Sequence, residues 1–112
     1  MRELKFRVWQ KATHQYRHFV LQKGVSVNIG ADLEIEQYTG LKDKNGKEIC
    51  IGDVVSEHHG DIIGEIVQKP SGEYRIAWIG IFGGESVLYD HRSLCEVIGN
   101  IHENPELLRR AE

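Results

Sequence analysis

The chain has 112 residues, of which 40% are hydrophobic, 28% are charged and only 2 are proline. This length and composition fit one globular domain with a single core, and they exclude a disordered or fibrous chain. No apolar stretch reaches the length of a signal-peptide core or a membrane span, so we expect a cytoplasmic protein with no membrane partner. Cys50 and Cys95 each stand beside apolar residues, which predicts reduced, partly buried thiols and no disulfide.

The formal net charge of −3 is unevenly distributed along the chain. Residues 1–23 hold six basic side chains and one acid, so this segment carries +5 and the rest of the chain carries −8. A basic end on an acidic body is typical of anion or nucleic-acid binding, or of contacts between oppositely charged parts of neighbouring subunits.

The first half of the sequence predicts strands separated by short polar runs. Apolar and polar residues alternate from Leu4, and a second apolar and aromatic run follows at 16–21, so residues 4–21 should form a hairpin. Alternation returns at 25–29 and at 33–38, and we expect Thr39-Gly40 to end the latter strand. The segment 43–47 contains Asn-Gly, which predicts a tight turn because this pair readily takes positive φ values.

The second half predicts further short strands and one helix. A strand should begin at Val54, and strands at 62–69 and 74–79 should form a hairpin around the Pro-Ser-Gly turn. Shorter strands are expected at 86–89 and 95–101. Asn104 is predicted to be the N-cap of a helix over 105–110, whose leucines would pack on the sheet. About eight short strands indicate an all-β fold, either a small barrel or a sandwich.

Several strings along the whole chain carry a family resemblance. They are Lys5-Phe6-Arg7-Val8-Trp9, the stretch 37–49 that begins Gln37-Tyr38-Thr39-Gly40, Gly52-Asp53-Val54-Val55, Glu96-Val97-Ile98-Gly99-Asn100-Ile101 and Glu103-Asn104-Pro105-Glu106-Leu107-Leu108. Together they resemble the YopX family, small proteins encoded mainly by phages and prophages of Gram-positive bacteria. One departure is Cys50-Ile51, where family members more often have an aromatic residue followed by an acid.

The resemblance implies a mainly all-β fold with an SH3-like barrel portion, a phage or prophage origin and self-association. It brings no catalytic residues and no cofactor with it. We therefore expect a single YopX-like domain over 1–112, with an N-terminal β-hairpin region at 1–36, a barrel-like core at 37–101 and a short C-terminal helix at 102–112.

The sequence offers no convincing catalytic or metal-binding constellation. Of six histidines only His58 and His59 are adjacent, and in an extended segment their rings would point to opposite faces. Cys50 lies between two isoleucines, with no base beside it in the sequence that would make it a nucleophile. No pair of His or Cys residues has the spacing of zinc ligands. We expect no catalytic, cofactor-binding or metal-binding residues.

Two surfaces could carry a binding function. Lys5, Arg7 and Trp9 should share one face of the first strand and Arg17 lies on the returning strand, which could form a nucleic-acid or anion surface. The alternative is that these cations occupy the solvated face of a hairpin, which the acidic remainder of the chain favours.

The second surface is the apolar run 76–82, which is long for a strand that is wetted on one side. Either this strand is buried on both faces, or the glycine-containing loop after it is covered by another chain through Trp78, Ile81 and Phe82. The leading hypothesis is a non-enzymatic module that binds protein, first copies of itself. Its rivals are a nucleic-acid-binding accessory protein and a small enzyme or metal protein.

Overall fold

A computed structural model of the chain describes residues 4–21, 33–80 and 83–109, and the strand predicted at 25–29 lies outside these ranges. The described part contains nine strands and two short helices, which confirms the prediction of a mainly β fold. No helix in it is long and apolar enough to cross a bilayer. The chain divides into two compact units, Met1–Tyr38 and Thr39–Glu112.

The first unit is built on an antiparallel sheet. Strand β1 (Leu4–Gln10) pairs along its whole length with β2 (Gln15–Leu21), which confirms the predicted hairpin. On its other side β1 pairs with β3 (Leu33–Lys42), with Arg7 opposite Glu36 and Trp9 opposite Glu34. Strand β1 is therefore the central strand of this unit.

Strand β3 does not end at Thr39-Gly40 as the sequence predicts, but continues to Lys42. The glycine adopts a φ of 81°, and the Thr39 hydroxyl donates to the carbonyl of Ile49 at 2.8 Å. Glycine takes this conformation without a steric penalty, so the chain can change direction here and still remain extended. Residues 39–42 belong to the second unit together with β4 (Glu48–Cys50).

The second unit contains a five-stranded antiparallel sheet in the order β8-β7-β6-β5-β9. The strands are β5 (Asp53–Glu57), β6 (Ile62–Gln68), β7 (Tyr74–Trp78), β8 (Glu85–Val87) and β9 (Glu96–Asn100). Strands β5 to β8 follow one another as neighbours, and β9 returns beside β5. The hairpin predicted around the Pro-Ser-Gly turn is β6 and β7.

The predicted strand at 86–89 is wrong in its second half. Strand β8 stops at Val87, and helix α1 (Leu88–His91) follows at once. Since β8 lies at one edge of the sheet and β9 at the other, the chain must cross from edge to edge, and a helical turn begins this reversal in few residues. Leu88 is completely buried and anchors the turn in the core.

The C-terminal helix begins one residue later than predicted and is not capped as expected. Helix α2 spans Glu106–Arg109, and the Asn104 side chain accepts the Asn100 N–H at 3.2 Å instead of capping the helix. Gly99 explains this position, because a Cβ there would come within 2.6 Å of Asn104 Oδ1. The glycine lets the asparagine fold back against β9.

The core of the second unit is a cluster of six completely buried side chains: Ile49, Val55, Ile66, Ile76, Leu88 and Cys95. Strands β6 and β7 approach closely at Gly64, where a Cβ would lie only 2.5 Å from Ile76 Cγ2 and 2.9 Å from Trp78 Cε3. A larger residue at this position would force β7 and its tryptophan to move.

The turn between β5 and β6 has an unusual backbone. His58, His59 and Gly60 have φ values of 54°, 59° and 92° in succession, and all three residues are exposed. The Asp61 N–H donates to the His58 carbonyl at 3.2 Å and closes the turn. The two histidines therefore occupy a left-handed conformation that L-residues seldom adopt.

The turn at 43–47 is confirmed, and a buried carboxylate fixes it. Asp43 Oδ1 accepts the N–H groups of Asn45 and Lys47, both at 2.9 Å. Its Oδ2 accepts the N–H of Val97 at 2.8 Å, so the same side chain joins the turn to β9.

We expect Asp43→Ala to lower the free energy of unfolding by about 2 kcal/mol, because it removes the acceptor of three backbone N–H groups. Urea denaturation is the measurement. The control is Asp61→Ala in an exposed turn, which should cost less than about 0.5 kcal/mol. Equal losses in the two variants would contradict the role given to Asp43.

Candidate functional site

One face of the N-terminal sheet collects charged and aromatic side chains from three strands. Residues directly opposite each other in an antiparallel pair point to the same face, and side chains alternate along each strand. The register therefore places one set of side chains together: Lys5, Arg7 and Trp9 from β1, Tyr16 and His18 from β2, and Glu34, Glu36 and Tyr38 from β3.

A buried ion pair lies at the centre of this face. Arg7 Nε donates to Glu36 Oε1 at 2.9 Å, and each residue is only 6% exposed. The Tyr16 hydroxyl donates to the same carboxylate oxygen at 2.9 Å, and the Arg7 guanidinium lies 4.5 Å from the Tyr16 ring centroid. The charge of Arg7 is therefore balanced by a carboxylate within this unit, and the Tyr16 ring adds a cation–π contact.

Aromatic rings extend from Tyr16 across the same face. The rings of Tyr16 and His18 have centroids 6.5 Å apart, those of His18 and Tyr38 are 6.2 Å apart, and the tilts are 36° and 35°. The Tyr38 hydroxyl and His18 Nδ1 are hydrogen-bonded at 3.1 Å. We call Tyr16, His18 and Tyr38 the aromatic row. At one end of this row, the Trp9 ring contacts the Tyr16 ring edge-on with centroids 4.9 Å apart, and Trp9 is itself buried.

The structure brings three of the four predicted cationic-surface residues together and separates the fourth. Lys5, Arg7 and Trp9 share the face described above, whereas Arg17 is paired with Val8 and lies on the opposite face, where it donates to Gln10. Arg7 and Trp9 are buried, so neither resembles the solvated side chain of the sequence-based alternative. Nucleic-acid binding by these residues stays a prediction.

The predicted apolar surface is described only at Trp78, since Ile81 and Phe82 lie outside the described residues. Strand β7 lies between β6 and β8, and Ile76 is completely buried while Trp78 is half-buried. The Trp78 indole N–H donates to Ser86 Oγ at 2.8 Å, which fixes the orientation of the ring. A subunit contact through these three residues stays a prediction.

The sequence reasoning missed a histidine–carboxylate pair in the second unit. His91 Nδ1 lies 2.7 Å from Oε2 of the buried Glu57, and the edge of the Trp78 ring packs against the His91 ring at a centroid distance of 5.8 Å. Glu57 ends β5 and His91 ends α1, 34 positions further along the chain, so no local spacing could have indicated the pair. A carboxylate in this position orients the imidazole.

Cys95 follows His91 closely in the chain but is not accessible. Its side chain is completely buried, and its backbone N–H donates to the His91 carbonyl at 3.0 Å. Desolvation, reinforced by the negative charges of Glu57 and Asp43, raises the pKa of the Cys95 thiol from 9.0 to about 11. The thiol is therefore protonated at neutral pH and is a poor nucleophile.

The histidines do not form a metal-binding cluster in the part of the chain that the structure describes. No group of three or more His, Cys, Asp or Glu side chains there could hold a metal ion together. Cys50 is completely buried like Cys95, and both are free thiols, as the sequence predicts.

The geometry defines a class: a small, mainly β protein with an antiparallel sheet in each of two compact units. The sequence pattern of the YopX protein family matches residues 20–109. The chain belongs to the YopX family. Among solved structures it is similar to protein EF1440 from Enterococcus faecalis, with a TM-score of 0.63 and 24% sequence identity over 94% of this chain and 97% of that chain. This likeness shows the fold. None of the curated proteins matches the chain.

The Arg7–Glu36 pair generates a stability prediction. Glu36→Ala leaves the buried guanidinium without its carboxylate, so we expect a loss of about 3 kcal/mol in the free energy of unfolding. Urea unfolding followed by Trp9 fluorescence in a Trp78→Phe background would report on this unit alone. Glu34→Ala is the matched control on the same strand, because its ion pair with Lys11 is exposed and should be worth less than about 1 kcal/mol.

The buried thiols generate a prediction about reactivity and pH. In a Cys50→Ser background at pH 8, the folded chain should react with a thiol-specific disulfide reagent far more slowly than the urea-unfolded chain. The folded thiol loses its proton near pH 11 and the unfolded thiol near pH 9, so folding stability should fall as the pH rises from 9 to 11. Equal reaction rates in the two states would contradict the burial of Cys95.

Proposed function

We propose that this YopX-family chain is a non-enzymatic binding module that acts through protein–protein contacts, and first through self-association. We further propose that it does so as a phage or prophage product in the cytoplasm of the host bacterium. The surface we assign to self-association consists of Trp78, Tyr89 and Leu94, which we call the association surface.

The observation that carries this proposal is the exposure of two large apolar side chains on one short segment. Tyr89 and Leu94 are each 57% exposed, and they flank His91 at the end of α1. Large apolar side chains that remain in water on one short segment favour a surface that another protein covers. The Arg92 guanidinium lies 3.8 Å from the Tyr89 ring centroid, and arginine and tyrosine are both enriched in protein interfaces.

Buried contacts and backbone hydrogen bonds fix α1 and the turn after it, which carry Tyr89 and Leu94. Leu88 is completely buried, which fixes α1 on the core. The His91 carbonyl accepts the N–H groups of Leu94 and Cys95 at 2.9 and 3.0 Å, and this sets the turn after the helix. A partner that docks here orders little additional chain, so more of the contact energy becomes affinity.

Trp78 belongs to the same surface because its ring packs against the ring of His91, between Tyr89 and Leu94 in the chain. The hydrogen bond from its indole to Ser86 leaves the ring partly exposed in a fixed position. Tryptophan and tyrosine are the residues that most often dominate the energy of protein interfaces.

Protein is favoured over nucleic acid because two cations of the N-terminal unit are already paired with carboxylates. Arg7 is bound to Glu36, and Lys11 contacts Glu34 at 3.3 Å. Binding to a phosphate backbone draws its energy from cations that neutralise phosphates, and these two are engaged by carboxylates. A non-enzymatic role is supported by Cys95, whose buried and protonated thiol could not act as a nucleophile beside His91.

The test is multi-angle light scattering on the purified chain at low and high salt. We expect a particle mass that is a multiple of 12.8 kDa, and we expect it to persist in high salt because the contact is apolar. Leu94→Asp should shift the particle towards the monomer, since it places a charge in the contact.

The matched control is Ile35→Asp, which changes another exposed apolar side chain, in the N-terminal unit. This variant should retain the oligomer. A monomeric wild-type chain at high micromolar concentration would overturn the proposal. A monomer that gains mass only with single- or double-stranded DNA, and loses it in high salt, would favour the nucleic-acid alternative instead.

A further inference from the structure

We propose that the aromatic row of the N-terminal unit, formed by Tyr16, His18 and Tyr38, binds a proline-rich segment of a partner protein. This inference goes beyond the proposed self-association, since it concerns another surface in the other unit and another kind of partner. It rests on how the rings are placed, on the charge beneath them and on their hydrogen bonds.

The rings cover the charged centre of the sheet face. Because β1 lies between β2 and β3, the contact between His18 and Tyr38 must pass over β1, where Arg7 is the direct neighbour of His18. The Tyr16 ring covers the guanidinium from a second direction, at 4.5 Å. His18 is exposed while Tyr16 and Tyr38 are half-buried, so a ligand would meet aromatic surface before it met the ion pair.

The rings lie beside one another in a row. Aromatic pairs have ring centroids roughly 4.5–7 Å apart. The observed spacings of 6.5 and 6.2 Å with tilts near 35° lie towards the wide end of this range, and the 6.5 Å between Tyr16 and His18 is close to the separation of same-face residues along one strand. Such a row offers an extended apolar contact to a peptide of consecutive proline residues, each of which carries a ring.

Two ion pairs on this face favour an uncharged ligand. Arg7 and Glu36 neutralise each other beneath the rings, and Lys11 and Glu34 form a second pair at the edge of the face. A polyphosphate chain would have to compete with both carboxylates for these cations, whereas a neutral chain would leave both pairs intact.

The hydrogen bonds of the row favour proline over sugar. The Tyr16 hydroxyl donates to Glu36 and the Tyr38 hydroxyl is bonded to His18, so a sugar hydroxyl would have to replace an existing bond. A proline residue has an apolar ring and no N–H, so it binds mainly through contacts of its ring with aromatic surface and through hydrogen bonds that its carbonyl group accepts. When Tyr38 donates to Nδ1, the other nitrogen of His18 carries the proton and can donate to such a carbonyl.

A proline-rich chain also loses little freedom on binding. It is already in the polyproline II conformation before it meets the row, and aromatic surfaces recognise such segments repeatedly. The hydrogen bonds of the row fix its own rings in advance, so both partners are pre-organised.

The experiment is a titration of the full chain with a capped decaproline peptide, followed by two-dimensional NMR, with a glycine–serine peptide of equal length as the reference probe. Decaproline should shift the resonances of β2 and β3 and bind in the micromolar to millimolar range, and the reference should not. His18→Ala should weaken decaproline binding by about tenfold, since an aromatic contact is worth up to about 1.5 kcal/mol.

Arg17→Ala is the matched control, because it changes an exposed residue of the same strand on the opposite face and should bind decaproline like the wild type. The inference is overturned if decaproline does not bind, if His18→Ala binds it unchanged, or if an oligothymidylate or a neutral oligosaccharide binds this face in its place. Light scattering on His18→Ala separates this test from the previous one, because loss of peptide binding with an unchanged mass leaves self-association intact.

Discussion

The second unit depends on the carboxylate of Asp43, which joins its own turn to Val97, 54 positions further along the chain. One oxygen closes the turn after β3 and the other receives a backbone N–H of β9, a strand at the edge of the five-stranded sheet. An edge strand exposes unpaired backbone groups that can recruit another chain, and here a side chain and the turn behind it occupy part of that edge. Like Asp43, Asp53 and Asn100 have side chains that accept backbone N–H groups where the chain changes direction.

The strands could be predicted wherever local chemistry determines the outcome. The hairpin of β1 and β2, the hairpin of β6 and β7 and the turn at 43–47 follow from alternation and from turn residues, and each is found. The errors occur where distant packing prevails. Strand β3 passes through Gly40 because the strand has partners beyond it, and residues 88–91 turn into a helix because the chain must cross the sheet and bury Leu88. The sequence predicts Asn104 as an N-cap, but its side chain accepts the Asn100 N–H instead. Gly99 has no Cβ and leaves room for the side chain in this position.

The candidate sites were harder to predict, because they depend on the register between strands and on which side chains become buried. The sequence identifies Arg7 and Trp9 as members of one strand face, but only the pairing of β1 with β3 brings Glu36 against Arg7. The same register turns Arg17 away from them. The pair of Glu57 and His91 joins the ends of two elements that no spacing rule relates. In the first and third of these cases the fold places a charged side chain beside a partner that is distant in the sequence.

The turn between β5 and β6 stores backbone strain that the rest of the fold tolerates. His58 and His59 both have positive φ, and each non-glycine residue in this conformation costs on the order of 1 kcal/mol. The side chains of the turn are exposed, so their replacement need not disturb the core. Residues such as asparagine or glycine adopt this conformation more readily, which makes the turn a natural position for engineering a more heat-resistant version of the protein.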